Sequence, residues 1–329
     1  MPDGLNTRSV PAFPMPVASL GRWFADRLGV PDARVMDAVL LPGGAVQHNW
    51  RIDLDVGGDA QTYVLRAGPD LPLPESISKA EEFAILNRVH ADGVPVPEPL
   101  WFCDGVAPFF VSRLCSGNAS RDELIGRDDN TALLRDLGAA LAGIHRVGTE
   151  ADLYSPTMRV EMLSLWMGDI IDVPTPLADG IAAGLAWLRA HVPDEGQVRR
   201  VHRDFRTGNF LVEGGRLVAV LDWEFAGWGD PHEDIGWFCA QCWRGNAPTL
   251  EAGGLGNRGA FYEAYMAAGG VPPDPGRVRF WEVFAHLRWA IIALQQGARA
   301  RAGAYPAWEL EEAESRVPVV LQTVAEMTR

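Results

Sequence analysis

Apolar residues recur along this chain with two periods, and the changeover divides it. Val17, Leu20, Trp23, Phe24 and Leu28 fall at helical spacing, which predicts an amphipathic helix over about 16–29. The period then drops to two. Trp50, Ile52, Leu54 and Val56 alternate with Arg51, Asp53 and Asp55, the pattern of a half-buried strand. Residues 35–41 and 62–66 supply neighbouring strands, with Gly57, Gly58 and Asp59 as the second turn. Between the first two strands lie Gly43 and Gly44, which either let backbone approach a phosphate or simply form a Gly-Gly hairpin.

A proline-marked loop over 67–77 leads to a helix predicted at about 78–90. Glu82, Ile85, Leu86 and Val89 share one face of it, so a carboxylate points with the apolar stripe. A carboxylate facing a core needs a cation. Arg66, at the end of the preceding strand, is one candidate; local pairing with Lys79, or a solvated position at the edge of the stripe, is the alternative. An extended stretch through 94–103 and a strand over 108–114 follow.

Beyond Ser116-Gly117-Asn118 helical spacing dominates. Leu133, Leu134, Leu137, Leu141 and Ile144 mark a helix over about 131–146, whose His145 reads as a packing or helix-terminus residue. Others are expected around Met162–Trp166 and Ile181–Leu188, and at about 233–244, 258–268, 276–299 and 308–328. Three parts follow: a loose arm over 1–14, a strand-rich lobe over 15–115 and a helical lobe over 116–329.

Composition narrows the classes. With 47% hydrophobic and 22% charged residues, the chain has the make-up of a soluble globular protein. A net charge of −14 argues against nucleic acid as a partner. No apolar run has membrane-spanning length, and the N-terminus lacks a signal-peptide pattern. Four cysteines suggest a reducing cytoplasm, so a cytoplasmic location is expected. Cys239 and Cys242 form a C-x-x-C without ligand partners at zinc spacing and read as small buried apolar residues.

Residues 201–234 concentrate the candidate chemistry. Gly214-Gly215 reads as a tight turn between apolar segments 209–212 and 217–221. With a two-residue turn, Val212 faces Leu217 and Asn209 faces Val220. Strand alternation then puts Asn209 and Asp222 on one face, an oxygen pair suited to Mg2+. His202, Arg203, Asp204 and Asn209 meet the pattern H-R-D-x-x-x-x-N, in which the Asp accepts a hydroxyl proton during phosphoryl transfer. Glu224, two residues after Asp222, is either a further metal ligand or a solvated or salt-bridged carboxylate. Asp230 and Asp234 flank Pro231 and read as scaffolding, capping a helix or accepting hydrogen bonds from the catalytic loop. Arg203 and Arg206 either neutralise charge near the site or lie at the surface.

These motifs resemble the aminoglycoside phosphotransferase family of small-molecule kinases, across roughly residues 35–300. The matching pieces are GGAVQHNW, YVLR, EEFAIL, VHRDFRTGNFLV and VLDWEFAGWGDPHEDIGW. The D-W-E form with the later G-D-P-x-x-D is close to the branch resembling kinase domains associated with acyl-CoA dehydrogenases. The resemblance implies an α+β, bilobal, protein-kinase-like fold and an ATP- and Mg2+-dependent transfer to a small-molecule hydroxyl, with GTP as an alternative donor. It makes Asp204 the base, Asn209 and Asp222 (with Glu224) the metal ligands, and Arg66 a phosphate contact paired with Glu82. Gly43 and Gly44 fall on the phosphate side, and 112–118 becomes the hinge holding adenine.

Two departures stand out: Arg66 where many relatives have Lys, and Arg203 where this branch usually has Gly. A catalytically silent module of the same fold is the main alternative. A protein kinase is disfavoured, since D-W-E replaces D-F-G and no A-P-E follows. Helices around 158–173 and 276–299 are expected to wall the acceptor pocket. Trp166, Trp281 and Trp289 either line it or belong to the core.

Overall fold

The alternation through residue 56 is built as a sheet because each apolar side chain finds the same core. In the computed structural model, which describes residues 13–41, 47–68, 73, 75–148, 154–170, 173–301 and 313–329, the chain forms two compact units. One comprises Met1–Ala91 and Val96–Ser116, the other Asp92–Pro95 and Gly117–Arg329. Gly43 and Gly44 lie outside the described residues, as does the N-terminal arm up to position 12. Phe13 packs edge-on against Trp50 at 4.8 Å.

In the first unit β1 (Arg34–Leu40), β2 (His48–Val56), β3 (Asp59–Ala67), β4 (Pro99–Cys103) and β5 (Phe109–Arg113) make an antiparallel sheet of order β1-β2-β3-β5-β4. Gly57 and Gly58, at φ 63° and 97°, form the two-residue turn that fixes the β2–β3 register. Ile52, Leu54, Tyr63, Leu65 and Val111 join Leu20 and Phe24 of α1 (Val17–Leu28) in one buried cluster. Helix α2 (Lys79–Ala91) packs on β4 and β5, where Phe83 stacks on Phe102 at 5.7 Å. The register places Arg66 beside Asn49 on one side and Phe110 on the other.

The second unit is mainly helical. Short α3 (Arg121–Ile125) precedes α4 (Thr131–Arg146). Helix α4 packs along α8 (Arg258–Ala267). A Cβ on Gly138 would lie 2.8 Å from the Tyr265 nitrogen, so this approach requires glycine. Helices α5 (Pro156–Gly168), α6 (Thr175–Ala190) and α7 (Pro231–Cys239) gather with α9 (Pro275–Arg301) and α10 (Val317–Met327) around one core. Trp166, Trp281 and Trp289 are buried in that core, as their helical spacing allowed. Helix α7 starts at Pro231 and stops at Cys239, and Gln241–Trp243 is a separate 3-10 turn. Cys239 and Cys242 are buried free thiols, which burial pushes up to about 12.

Two small ladders carry the motif segment. β7 (Phe210–Glu213) pairs with β8 (Arg216–Val220), and β6 (Arg199–Val201) pairs with β9 (Gly227–Gly229). The second ladder, three residues a side, is too short to show a period in the sequence. No helix among the described residues is long and apolar enough to cross a membrane.

Candidate active site

The β7–β8 hairpin corrects the pairing expected from its turn. Val212 does face Leu217, but the register slips between Leu211 and Val212. Phe210 therefore faces Val220, and Asn209 falls opposite Leu221, whose N–H donates to the Asn209 carbonyl at 2.8 Å. A bulge of this kind inserts one residue and reverses the facing of everything beyond it. The strand ends at Val220, so alternation does not aim Asp222. Its backbone does: Asp222 has φ 61°. Arg203, at φ 62°, is the other non-glycine residue in the left-handed region among the described residues. Such backbone costs about 1–2 kcal/mol per residue and persists where surroundings hold it. Glu224 sits in a turn, 5% exposed, rather than on a continued strand, so the geometry that aligned it with Asp222 is absent.

Asp204 is the best-defined carboxylate of the motif. Its Oδ2 accepts from Asn209 Nδ2 at 2.6 Å; its Oδ1 accepts from Trp237 Nε1 at 3.0 Å and Arg206 Nε at 3.1 Å. Asn209 Nδ2 also donates to the Asp204 carbonyl at 2.9 Å. With its amide nitrogen committed, Asn209 presents its oxygen elsewhere. Arg206 lies over the Trp243 ring at 4.6 Å, which sets the direction of its guanidinium.

The ring of His202 links this carboxylate to the segment that carries Asp222. The Asp204 N–H donates to His202 Nδ1 at 3.1 Å. The Nε2–H then donates to the Leu221 carbonyl at 2.9 Å. Burial holds the imidazole below its usual range and keeps it neutral, although Asp234, Asp204 and Asp222 are close enough to pull the other way. His202 thus stands between Asp204 and the residue preceding Asp222.

Two carboxylates brace the loop. Asp234, fully buried, accepts from the N–H groups of His202 at 2.8 Å and Arg203 at 2.6 Å. The second bond holds the left-handed residue in place. Burial disfavours the Asp234 charge, but hydrogen bonds from the His145 ring and the His202 N–H outweigh it and bring its carboxyl below the ordinary value. Arg288 Nη1 donates to the Arg203 carbonyl at 2.6 Å, while Arg203 Nη2 donates to the Trp228 carbonyl at 2.6 Å. Glu233, the second carboxylate, meets Arg159 at 2.7 Å and Arg203 Nε at 3.6 Å.

Asp230 caps α7. It accepts from the His232 N–H at 3.0 Å and ring at 2.8 Å, and from Trp281 Nε1 at 3.0 Å and Arg277 Nε at 3.1 Å. Burial opposes ionisation here, but the His232 and Trp281 contacts outweigh it and hold the carboxyl at about 2. A depressed folded value gives stability that is present above the unfolded carboxyl range and lost as pH falls through about 2. The difference in unfolding free energy between wild type and Asp230→Asn is expected to be about 2 kcal/mol at neutral pH. Denaturant titrations across acid pH should show this difference shrinking between about pH 4 and pH 2.

The first unit carries a separate ionic assembly. Arg66 Nε meets Glu82 Oε1 at 2.8 Å, and Arg66 Nη1 donates to Asn49 Oδ1 at 3.2 Å. Lys79 meets the other oxygen, Oε2. Both partners proposed for Glu82 are therefore present, and Glu82 is 1% exposed.

Sequence reading missed Trp237, Arg288 and Arg159. For Trp237 a signal existed: it lies three residues after Asp234, on the same helical face. Arg159 and Arg288 come from helices distant in sequence, and no local pattern connects them to the loop. Among the described residues no group of three or more His, Cys, Asp or Glu is arranged to hold a metal ion.

An antiparallel sheet unit followed by a helical unit with an H-R-D-x-x-x-x-N loop defines an α+β, bilobal protein of protein-kinase-like fold. Residues 37–281 match the phosphotransferase enzyme family APH, and the chain belongs to that family. A Ralstonia eutropha crystal structure, provisionally described as an aminoglycoside phosphotransferase, superposes with TM-score 0.71 at 20% identity, covering 95% of this chain and 98% of that one. Spectinomycin phosphotransferase APH(9)-Ia, solved with ADP and spectinomycin, gives TM-score 0.66 at 14% identity over 95% of this chain and 99% of that one. Among curated sequences, mouse acyl-CoA dehydrogenase family member 10 is 24% identical over 90% of this chain. Chicken member 11 is 29% identical over 57% of it. The chain spans 29% and 26% of those relatives' lengths.

Proposed function

We propose that this protein transfers the terminal phosphoryl group of ATP to a hydroxyl of a small molecule, with Mg2+, and that Asp204 is the base. The observation that carries this reading is the setting of Asp204. Asn209, Arg206 and Trp237 fix its carboxylate in one orientation, as proton acceptance from a positioned alcohol requires. The alcohol proton goes to Asp204 as the oxygen bonds to phosphorus, and the bond to the ADP oxygen breaks.

The donor set suits magnesium. Asn209 Oδ1 and the Asp222 carboxylate are hard oxygen ligands, and Mg2+ typically takes only one or two protein carboxylates besides phosphate oxygens and water. The ion would neutralise phosphate charge. Glu224, placed by a turn, is a weaker candidate ligand than alternation suggested. In the other unit Arg66, oriented by Glu82 and Asn49, would contact nucleotide phosphate. The neighbour solved with ADP supports a nucleotide donor.

The cation beside the base bears on the acceptor. Arg206 adjoins Asp204, and this favours a neutral or acidic alcohol over a polycationic aminoglycoside. The relatives' names add acyl compounds to the panel worth testing.

Calorimetry with ATP and MgCl2 is expected to show binding that needs the metal and weakens at least about tenfold in Asp222→Ala, equivalent to about 1.4 kcal/mol. Metal-independent affinity unchanged by Asp222→Ala would remove the metal role. Binding without transfer to any alcohol would favour the silent module, and label appearing in protein would favour a protein kinase.

A further inference from the structure

Two partners of the Asp204 carboxylate hang on one tight turn. Arg206 opens it and Asn209 closes it, where the Asn209 N–H donates to the Arg206 carbonyl at 3.0 Å. Arg206 Nε reaches Asp204 Oδ1 at 3.1 Å, and Asn209 Nδ2 reaches Oδ2 at 2.6 Å. Gly208, at φ 108°, takes the third position of the turn, where left-handed backbone favours glycine. A Cβ there would also lie 2.8 Å from Arg206 Nη1, so the guanidinium passes over bare backbone. The second position is Thr207, an unspecified residue of H-R-D-x-x-x-x-N that is nonetheless 0% exposed. Its hydroxyl donates to the Gly253 carbonyl, 46 residues away in sequence, at 2.7 Å.

We propose that Thr207 is a positioning residue, which ties the apex of this turn to the segment before α8 and so fixes Arg206 and Asn209 on Asp204 together. The carbonyl it binds is held in place by its own segment. The Gly254 N–H donates to the Leu250 carbonyl at 3.0 Å, the Ala252 N–H to Gly256 at 2.8 Å and the Leu255 N–H to Ala252 at 2.9 Å. Gly253 has φ 60°. A Cβ on it would collide with the Phe238 ring and lie 2.7 Å from Thr207 Oγ1, so this approach requires glycine. Phe238 packs in turn on Phe205 at 5.6 Å and Phe210 at 5.9 Å, the residues on either side of the turn. That aromatic packing seats the base of the turn but is not directional. The hydroxyl bond gives its apex a direction. Valine would keep the shape of Thr207 and remove the donor. The buried Gly253 carbonyl would lose this bond, and the apex could tilt and carry both partners of the base with it.

This inference rests on the reading of Asp204 as the base, but one arm of its test needs no activity. Hydrogen exchange of the full-length protein, followed by NMR, reads the turn through the Asn209 amide, which in wild type should exchange as slowly as the amides of β7. Thr207→Val is expected to speed that exchange at least about tenfold, a loss of local protection. It should also lower kcat at least about tenfold with little change in nucleotide KM, since small misplacements near the reacting atoms carry losses of this size. Thr207→Ser, which keeps the hydroxyl, should recover most of both. Leu141→Ala, a core truncation on α4, should lower Tm without moving either. Wild-type exchange at Asn209 or wild-type kcat in Thr207→Val would overturn the proposal and leave Thr207 a packing residue. So would Thr207→Ser as impaired as valine, or Leu141→Ala with the same two defects. Should Thr207→Val not fold, the wild-type protein still decides: an Asn209 amide that exchanges like an exposed one contradicts an anchored turn. A wild-type protein inactive on every acceptor would sink the base assignment while the exchange arm still judged the anchor.

Discussion

Replacing Asp204 with asparagine is expected to lower kcat about 10³-fold while nucleotide affinity stays near its wild-type value. General-base catalysis contributes about 10²–10⁴-fold, and the amide cannot take the acceptor proton. The side chain remains the same size, so the contacts of Trp237 and Arg206 to Oδ1 can persist. The contact with Asn209 cannot. Asn209 Nδ2 donates to Oδ2, and an amide nitrogen there would set donor against donor. Part of the loss is expected to be expressed through Asn209, so the variant should also show weaker magnesium dependence. Steady-state kinetics with calorimetry separates the two. A variant with wild-type kcat would show that proton acceptance lies elsewhere.

Replacing Glu82 with alanine is expected to cost about 3–5 kcal/mol of stability, the usual effect of removing one partner from a buried ion pair. Glu82 is almost wholly buried and serves both Arg66 and Lys79, so two cations lose this carboxylate at once. Thermal unfolding should shift down by many degrees. Nucleotide binding should weaken as well, because the Arg66 guanidinium is held by Glu82 through Nε and by Asn49 through Nη1. Glu82→Gln should be milder, since the amide can still accept one of the two bonds. Unchanged stability in Glu82→Ala would mean that the pair is solvated in solution.

Much of this was legible in the chain. The period-two run at Trp50–Val56 specified β2, and the helical run from Leu133 to Ile144 specified α4 with both ends. H-R-D-x-x-x-x-N singled out Asp204 and Asn209 as neighbours close in sequence, and the structure brings their side chains within hydrogen-bond distance. The orientation of Asp222 was not legible. It depends on a bulge at Leu211/Val212 and a left-handed backbone at Asp222, and neither leaves a periodic trace. The choice between Arg66 and Lys79 for Glu82 had no answer in spacing, since both satisfy it. His145 read as packing because its partners, Asp234 and Tyr265, lie 89 and 120 residues away. Long-range polar contacts between helices are set by tertiary packing, and a single sequence carries little record of them.

The measurement that tests the central claim most directly is phosphorus NMR of the protein with ATP, MgCl2 and a panel of alcohols. The panel should include aminoglycosides, sugars, hydroxy acids and hydroxyacyl thioesters. The predicted result is a phosphomonoester formed in step with ADP, on a neutral or acidic acceptor, and absent with Asp204→Asn. Nucleotide that binds yet yields no phosphomonoester with any alcohol, or a product that forms equally well without Asp204, would contradict it.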